Sequence, residues 1–131
     1  MTVYQLDTLF PDLPADTKSW VYFGLSFDDL LVKIGTTTRP VDHRSGELHF
    51  LVLCTVPGGK DVEALFHKKY AAERVGRSKY GPDRRKLPEW FHLSDRLLAD
   101  LLEMCAQQHL TQSCAMLKAI MFQRLRTAAA A

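Results

Sequence analysis

The sequence predicts an α/β (α+β) fold: a small three-stranded, mainly antiparallel sheet flanked by helices, with a C-terminal helical extension. Short segments rich in β-branched and aromatic residues come first along the chain, and segments with apolar residues at helical spacing follow. The 131 residues, 47% hydrophobic and 24% charged, suit a single globular domain with its own core. The order strand, strand, helix, strand, helix favours a sheet with helices packed against it.

The first two strands are expected to form a hairpin. The segment WVYFGL at 20–25 has the composition of a buried strand, and a short polar turn follows it. The second strand is expected over 30–36, where Gly35 leaves room for a backbone or a ligand to approach closely. A third strand over 51–56 ends at the turn residues Pro57-Gly58-Gly59.

Two helices are expected around the third strand. The first has Pro40 in its first turn and runs to about Leu48. The second opens at Asp61, because apolar residues then recur at helical spacing. Those residues are Val62, Leu65, Phe66 and Tyr70.

By composition the chain divides into four parts. An acidic arm with two prolines comes first, and an alanine-rich tail comes last, which is either a frayed helix end or an expression remnant. The C-terminal extension is expected to contain two helices packed on the same domain, one capped by Ser94 and one over 111–126. The boundaries are 1–19 for the arm, 20–93 for the domain, 94–126 for the extension and 127–131 for the tail.

Composition also excludes several classes of protein. No apolar run approaches the about 20 residues that a membrane helix needs, so we expect no membrane partner. The N-terminal sequence MTVYQLDTLFPDLP has no basic flank before an apolar core, so we expect no signal peptide. The cysteines, Cys54, Cys105 and Cys114, are odd in number and form no C-x-x-C pair. They argue against a disulfide scaffold and a cysteine zinc site, and the cytoplasm is the expected compartment.

Positive charge is concentrated in the middle of the chain. The formal net charge is only +2, but residues 74–86 hold six bases against one acid. A local basic field indicates an anionic partner, although on charge alone a solvated loop is the simpler interpretation.

Five side chains are candidates for chemistry: Tyr22, Lys33, Arg44, Glu63 and His67. Each also has a plain structural explanation. A strand tyrosine is usually a core residue, Lys33 would point to solvent from a polar strand face, and Arg44 would be a solvated helix residue. Glu63 suits the positive end of a helix dipole. Glu63 and His67, four residues apart, would form either a surface pair or two metal ligands.

The order and spacing of these residues are more specific than any one of them. The set is Trp20-Val21-Tyr22, then ten residues, then Lys33-Ile34-Gly35, a helix carrying Arg44, the helix VEALFHKKY, and a closing Glu89-Trp90-Phe91. This set resembles the GIY-YIG endonuclease superfamily, in particular its small phage and bacterial branch. The likeness covers about residues 20–93, just over half the chain. No HExxH, Walker or Rossmann pattern competes with it.

The resemblance implies a metal-dependent DNA endonuclease. Tyr22 matches the tyrosine proposed as general base for the attacking water, and Arg44 matches the arginine that binds the scissile phosphate. Glu63 matches the single glutamate that holds one divalent ion, Mg²⁺ or Mn²⁺. Because the reference pKa of tyrosine is about 10, a nearby cation such as Lys33 or the metal would be needed to favour its phenolate.

The chain also departs from the family pattern. Lys33 replaces the tyrosine of the second motif, and Leu48 stands four residues after Arg44, where some members carry histidine or tyrosine. The late asparagine of many members has no match, whereas His67 follows the branch pattern and is a candidate site residue. These departures leave open a catalytically inactive module of the same fold that binds DNA or a protein.

The expected DNA interface is the basic loop. Neutralising phosphates releases counterions, so binding there should be sensitive to salt. The loop contributes Arg74, Arg77, Lys79, Arg84, Arg85 and Lys86. A third interpretation is an interaction protein whose C-terminal helices bury an apolar face against a second copy, giving a homodimer, although packing on its own sheet is the simpler use.

Overall fold

The computed structural model describes residues 17–26, 29–38, 50–75 and 90–130. Within them, four strands form one antiparallel sheet in the order β3-β1-β2-β4. The α/β class and the antiparallel sheet are thereby confirmed. The expectation of three strands is wrong, because the short segment after residue 89 pairs with β2 as a fourth strand. The strands are β1 (Trp20–Leu25), β2 (Leu31–Thr37), β3 (Leu51–Pro57) and β4 (Trp90–His92).

Three α-helices and one 3₁₀ turn accompany the sheet in the described residues. They are α1 (Lys60–Lys69), the 3₁₀ turn Ala71–Glu73, α2 (Asp95–Gln107) and α3 (Thr111–Ala130). Ser94 caps α2 as expected, since its Oγ accepts a hydrogen bond from the Leu97 amide at 3.1 Å. The alanine-rich tail is helical through Ala130, so α3 continues past residue 126. None of the described helices is long and apolar enough to cross a membrane.

Three of the expected segments fall largely or wholly outside the described residues. They are the N-terminal arm, of which only 17–19 is described, the helix expected to run to Leu48, and the basic loop beyond Val75.

Helix α1 packs on one face of the sheet through aromatic contacts. The Phe66 ring meets the Phe23 ring edge to face, with centroids 5.0 Å apart. Side chains alternate along β1, so the neighbouring Tyr22 points to the opposite face. The expected apolar face of α1 is wrong at Leu65, which is 67% exposed. Phe66 supplies the contact with the sheet instead.

Strand β3 is an edge strand, and the C-terminal helices cover it. The Ser113 hydroxyl on α3 donates to the Leu53 carbonyl at 2.7 Å, and the Cys105 thiol on α2 lies 3.7 Å from the same oxygen. The Gln108 side chain donates to the Thr55 carbonyl at 2.9 Å. These bonds satisfy backbone acceptors that an open edge would present to other chains.

Replacing Ser113 by alanine should destabilise the fold. Ser113 is buried, and its loss leaves the Leu53 carbonyl with only a weak thiol donor. We expect the free energy of unfolding in urea to fall by about 1–3 kcal/mol. The exposed neighbour Gln112→Ala is the matched control and should change it little. Equal effects of the two substitutions would show that the edge bond contributes nothing.

A polar network joins the end of α1 to α2. The buried Tyr70 hydroxyl donates to the Asp100 carboxylate at 2.7 Å. Arg96 donates to both carboxylate oxygens of Glu73, at 2.9 and 2.8 Å, and to the Lys69 carbonyl. The same guanidinium lies 5.1 Å from the centre of the Tyr70 ring. Burial, followed by the hydrogen bond to Asp100, raises the pKa of Tyr70 above its ordinary value.

This raised pKa makes stability depend on alkaline pH. The unfolded phenol ionises from about pH 10, whereas the folded one stays protonated, so unfolding releases a proton above that pH. The contribution of Tyr70 is therefore full below about pH 10 and is lost as pH rises further, by up to about 1.4 kcal/mol per pH unit. Urea unfolding from pH 8 to 11 should show a shallower alkaline decline for Tyr70→Phe than for the natural protein. Parallel declines would contradict the assignment.

Candidate functional site

Tyr22 and Lys33 lie on the same face of the sheet, opposite the face that packs against α1. Tyr22 pairs with Gly35 across the β1–β2 hairpin, and Lys33 pairs with Gly24 on one side and Trp90 on the other. The Lys33 ammonium lies 5.8 Å from the centre of the Tyr22 ring. Lys33 is only 3% exposed, so the interpretation that it points to solvent is wrong. Both side chains of the two motifs are thus brought together and buried.

Phe50 packs against both Tyr22 and Lys33, and the sequence did not identify it as part of the site. Its ring is parallel to that of Tyr22, at 2° and with centroids 5.6 Å apart, while Trp90 meets it edge on at 6.3 Å. The Lys33 ammonium lies 5.6 Å from the Phe50 ring centre as well. Phe50 precedes β3 and falls outside any strand pattern.

Two glycines make this packing feasible. A Cβ on Gly24 would lie 2.3 Å from Cδ2 of Phe50, and a Cβ on Gly35 would lie 2.9 Å from the Tyr22 hydroxyl. Both distances are far below van der Waals contact. The close approach expected at Gly35 is therefore made by the Tyr22 ring, which occupies the space where a side chain would begin.

Glu63 carries the least explained polar atom in the described structure. It lies in the first turn of α1 and is 7% exposed. Its Oε1 is buried and accepts no hydrogen bond from any described residue, while Oε2 lies 3.8 Å from the Lys60 ammonium. A buried carboxylate oxygen without a partner is costly, and a bound cation would offset that cost.

The residues at Glu63 fit a hard divalent cation. A carboxylate oxygen is the donor that Mg²⁺ and Mn²⁺ prefer, and Mg²⁺ is commonly held by one or two carboxylates, with waters and substrate phosphates completing its shell. Among the described residues no group of three or more His, Cys, Asp or Glu side chains gathers around one point.

His67 is engaged elsewhere. Its Nε2 lies 2.8 Å from the Ile34 carbonyl, and because a carbonyl only accepts, the ring donates there. The ring also lies 5.1 Å from that of Phe91, on the face opposite Tyr22 and Lys33. The structure does not bring His67 together with the tyrosine and the lysine, and its contacts dock α1 onto β2.

Of the remaining predicted site residues, only Arg74 lies in the described part of the chain. Arg74 follows the 3₁₀ turn, is exposed, and places its guanidinium 5.5 Å from the Phe91 ring centre. Arg44 and the rest of the expected DNA interface lie outside the described residues; the latter are Arg77, Lys79, Arg84, Arg85 and Lys86.

The Cys54 thiol is unsuited to act as a nucleophile. All three are free; Cys54 and Cys105 are fully buried and hydrogen-bonded to each other, and Cys114 is partly buried. That hydrogen bond and burial raise the pKa of Cys54 well above its usual value, so the thiol stays protonated.

The structure thus holds a buried phenol beside an ammonium on one face of the sheet, and a buried carboxylate oxygen without a hydrogen-bond partner among the described residues on α1, which packs against the other face. These are parts suited to activating a water and to holding a metal ion against an anion. The chain matches no protein-family model, no curated protein and no solved structure.

Proposed function

We propose that this chain is a divalent-metal-dependent endonuclease that hydrolyses DNA phosphodiester bonds through a GIY-YIG-type site. The observation that carries the proposal is the buried Oε1 of Glu63, which has no hydrogen-bond donor among the described residues. Glu63 is also the residue to which the resemblance gives the metal. Two independent arguments, one from motif order and one from an unsatisfied atom, therefore support the same role.

Each side chain has a defined task in this proposal. Glu63 would hold Mg²⁺ or Mn²⁺, which when bound polarises the scissile phosphate. Tyr22 orients the attacking water and accepts its proton at the phenol oxygen. The Lys33 ammonium, 5.8 Å from the Tyr22 ring centre, favours the phenolate that this step needs. Arg44 has the role that the resemblance gives it, a planar pair of donors for the phosphate.

The structure changes the proposed role of His67. His67 is a site residue by sequence pattern, but its bond to the Ile34 carbonyl makes it a residue that holds α1 against β2. We therefore propose that His67 acts indirectly, by fixing the helix that carries Glu63.

The second candidate function is a module of this fold that binds DNA or a protein without cutting. The burial of Lys33 beside the stacked Tyr22 and Phe50 rings favours it, because an ammonium packed in this way also has a sufficient structural role. Cleavage requires Glu63 and a metal ion, whereas passive binding requires neither.

The setting is part of the proposal as well. DNA is the proposed partner, with Mg²⁺ or Mn²⁺ as cofactor, and the free cysteines support a cytoplasmic location. The exposed Phe122 and Leu125 on α3 support a homodimer through the C-terminal helices.

Incubation with supercoiled plasmid tests the function directly. We expect nicking in the presence of Mg²⁺ or Mn²⁺ and none after addition of a chelator. Absence of nicking with either metal, together with salt-sensitive retention of DNA, would reject the nuclease and favour the binding module.

A further inference from the structure

We propose that an exposed stripe on α1, formed by Lys60, Ala64 and Lys68, binds the phosphate backbone of duplex DNA beside Glu63. The inference rests on the proposed function, and it assigns a substrate-binding surface outside the loop that the sequence indicated. The three residues are all exposed. They are spaced by four and so lie along one side of the helix.

The dimensions of the stripe suit a nucleic-acid strand. Eight residues of helix separate the two lysine backbones by about 12 Å. Phosphates of one DNA strand advance about 3.4 Å along the duplex axis per nucleotide, so the two ammonium groups would meet phosphates about three or four nucleotides apart. Ala64 between them is small, so it leaves the backbone free to approach the helix.

The position of Lys60 is not explained by helix stability. It is the first residue of α1, where the helix dipole disfavours a cation, and the preceding Gly59 provides no side-chain cap. Its contact with Glu63 at 3.8 Å is an i,i+3 pair whose lysine side chain is 79% exposed, and such pairs contribute little. An ammonium at this place is explained if a bound anion lies against the N-terminal end of the helix.

Lys68 extends the same charge along the stripe. It has no ion-pair partner within the part of the chain that the structure describes. Two acids flank the stripe: Asp61, about 100° around the helix from Lys60, and Glu63, whose carboxylate lies 3.8 Å from the Lys60 ammonium. The stripe itself carries two lysines, and its Lys60 end adjoins the Glu63 carboxylate proposed to hold the metal. A duplex lying along it would place a phosphate at that ion.

The salt dependence of binding tests the stripe. The full chain, kept in chelator to prevent cleavage, is titrated with a fluorescent DNA duplex at several salt concentrations. Lys60→Gln and Lys68→Gln should each weaken binding and reduce the slope of log affinity against log salt by about 0.9, and the double variant by about twice that. Lys118→Gln on α3 is the matched control, because it removes the same charge from another exposed lysine and should leave the slope unchanged.

Plasmid nicking separates this inference from the proposed function. Lys60→Gln should lower kcat as well as raise KM, because its ammonium adjoins Glu63, whereas Lys68→Gln should raise KM alone. Metal-dependent nicking with unaltered slopes in both variants would overturn the stripe and leave the nuclease standing. Reduced slopes in a chain that never nicks DNA would support the stripe and reject the nuclease. An equal reduction by Lys118→Gln would overturn the stripe, because net charge alone would then account for the effect.

Discussion

Glu63→Gln should abolish metal-dependent nicking and at the same time stabilise the metal-free protein. The substitution keeps the shape of the side chain but removes the charge that would hold the ion, and loss of the metal's charge stabilisation should slow cleavage by at least about 10³-fold. It also removes a buried charged oxygen that has no donor among the described residues. We expect the free energy of unfolding, measured in urea with chelator, to rise by about 1 kcal/mol.

The opposite signs of these two effects make the prediction specific. A residue retained for structure loses stability when it is changed, whereas one retained for function at a structural cost gains it. Glu103→Gln, an exposed carboxylate on α2, is the matched control and should alter neither quantity. A fall in stability with nicking preserved would mean that the contact of Glu63 with Lys60 is its whole role.

Gly35→Ala should lower both the cleavage rate and the stability of the fold. Its Cβ would lie 2.9 Å from the Tyr22 hydroxyl and 3.0 Å from Cζ, in a ring on which Phe50 is stacked. Displacing a reacting group by about 1 Å can cost about 10²-fold in rate, and overpacking typically costs about 1–3 kcal/mol of stability. We expect both losses, measured by single-turnover cleavage and by urea unfolding.

A double variant shows whether the Tyr22 hydroxyl is the cause. Gly35→Ala combined with Tyr22→Phe removes the atom nearest to the new methyl group, so part of the lost stability should return while cleavage is abolished. If Gly35→Ala alone cleaves DNA at the natural rate, Tyr22 has no role in the reaction.

The hairpin strands could be predicted from the sequence because their signals are local. Composition placed β1 and β2 within one residue of the observed ends, and it singled out Gly35. The fourth strand could not be predicted in the same way, because Trp90–His92 is too short to show a period and becomes a strand only by pairing with β2. The apolar face predicted for α1 is wrong at Leu65 for a related reason. Helical spacing identifies apolar positions, but it does not show which of them pack against the sheet.

The candidate site shows the same division between local and long-range information. The prediction that Lys33 is exposed assumes a sheet with one solvent-exposed face. Residues on both faces of this sheet are buried, so the alternation of side chains along β2 does not predict which of them are exposed. Phe50 lies far from Gly24 and Tyr22 in sequence, and only the fold shows that a missing Cβ makes room for its ring. The spacing of Glu63 and His67 predicted a shared helix face but not that the histidine would bond to the Ile34 carbonyl.

A metal titration of cleavage tests the role of Glu63 most directly. Single-turnover cleavage of a short duplex is measured over a range of Mn²⁺ concentrations for the natural protein and for Glu63→Gln. The account predicts a rate that rises with Mn²⁺ and saturates for the natural protein, and no metal-dependent rise for the variant. Rates that rise along the same curve for both proteins would contradict it, because the ion would then be held without the Glu63 carboxylate.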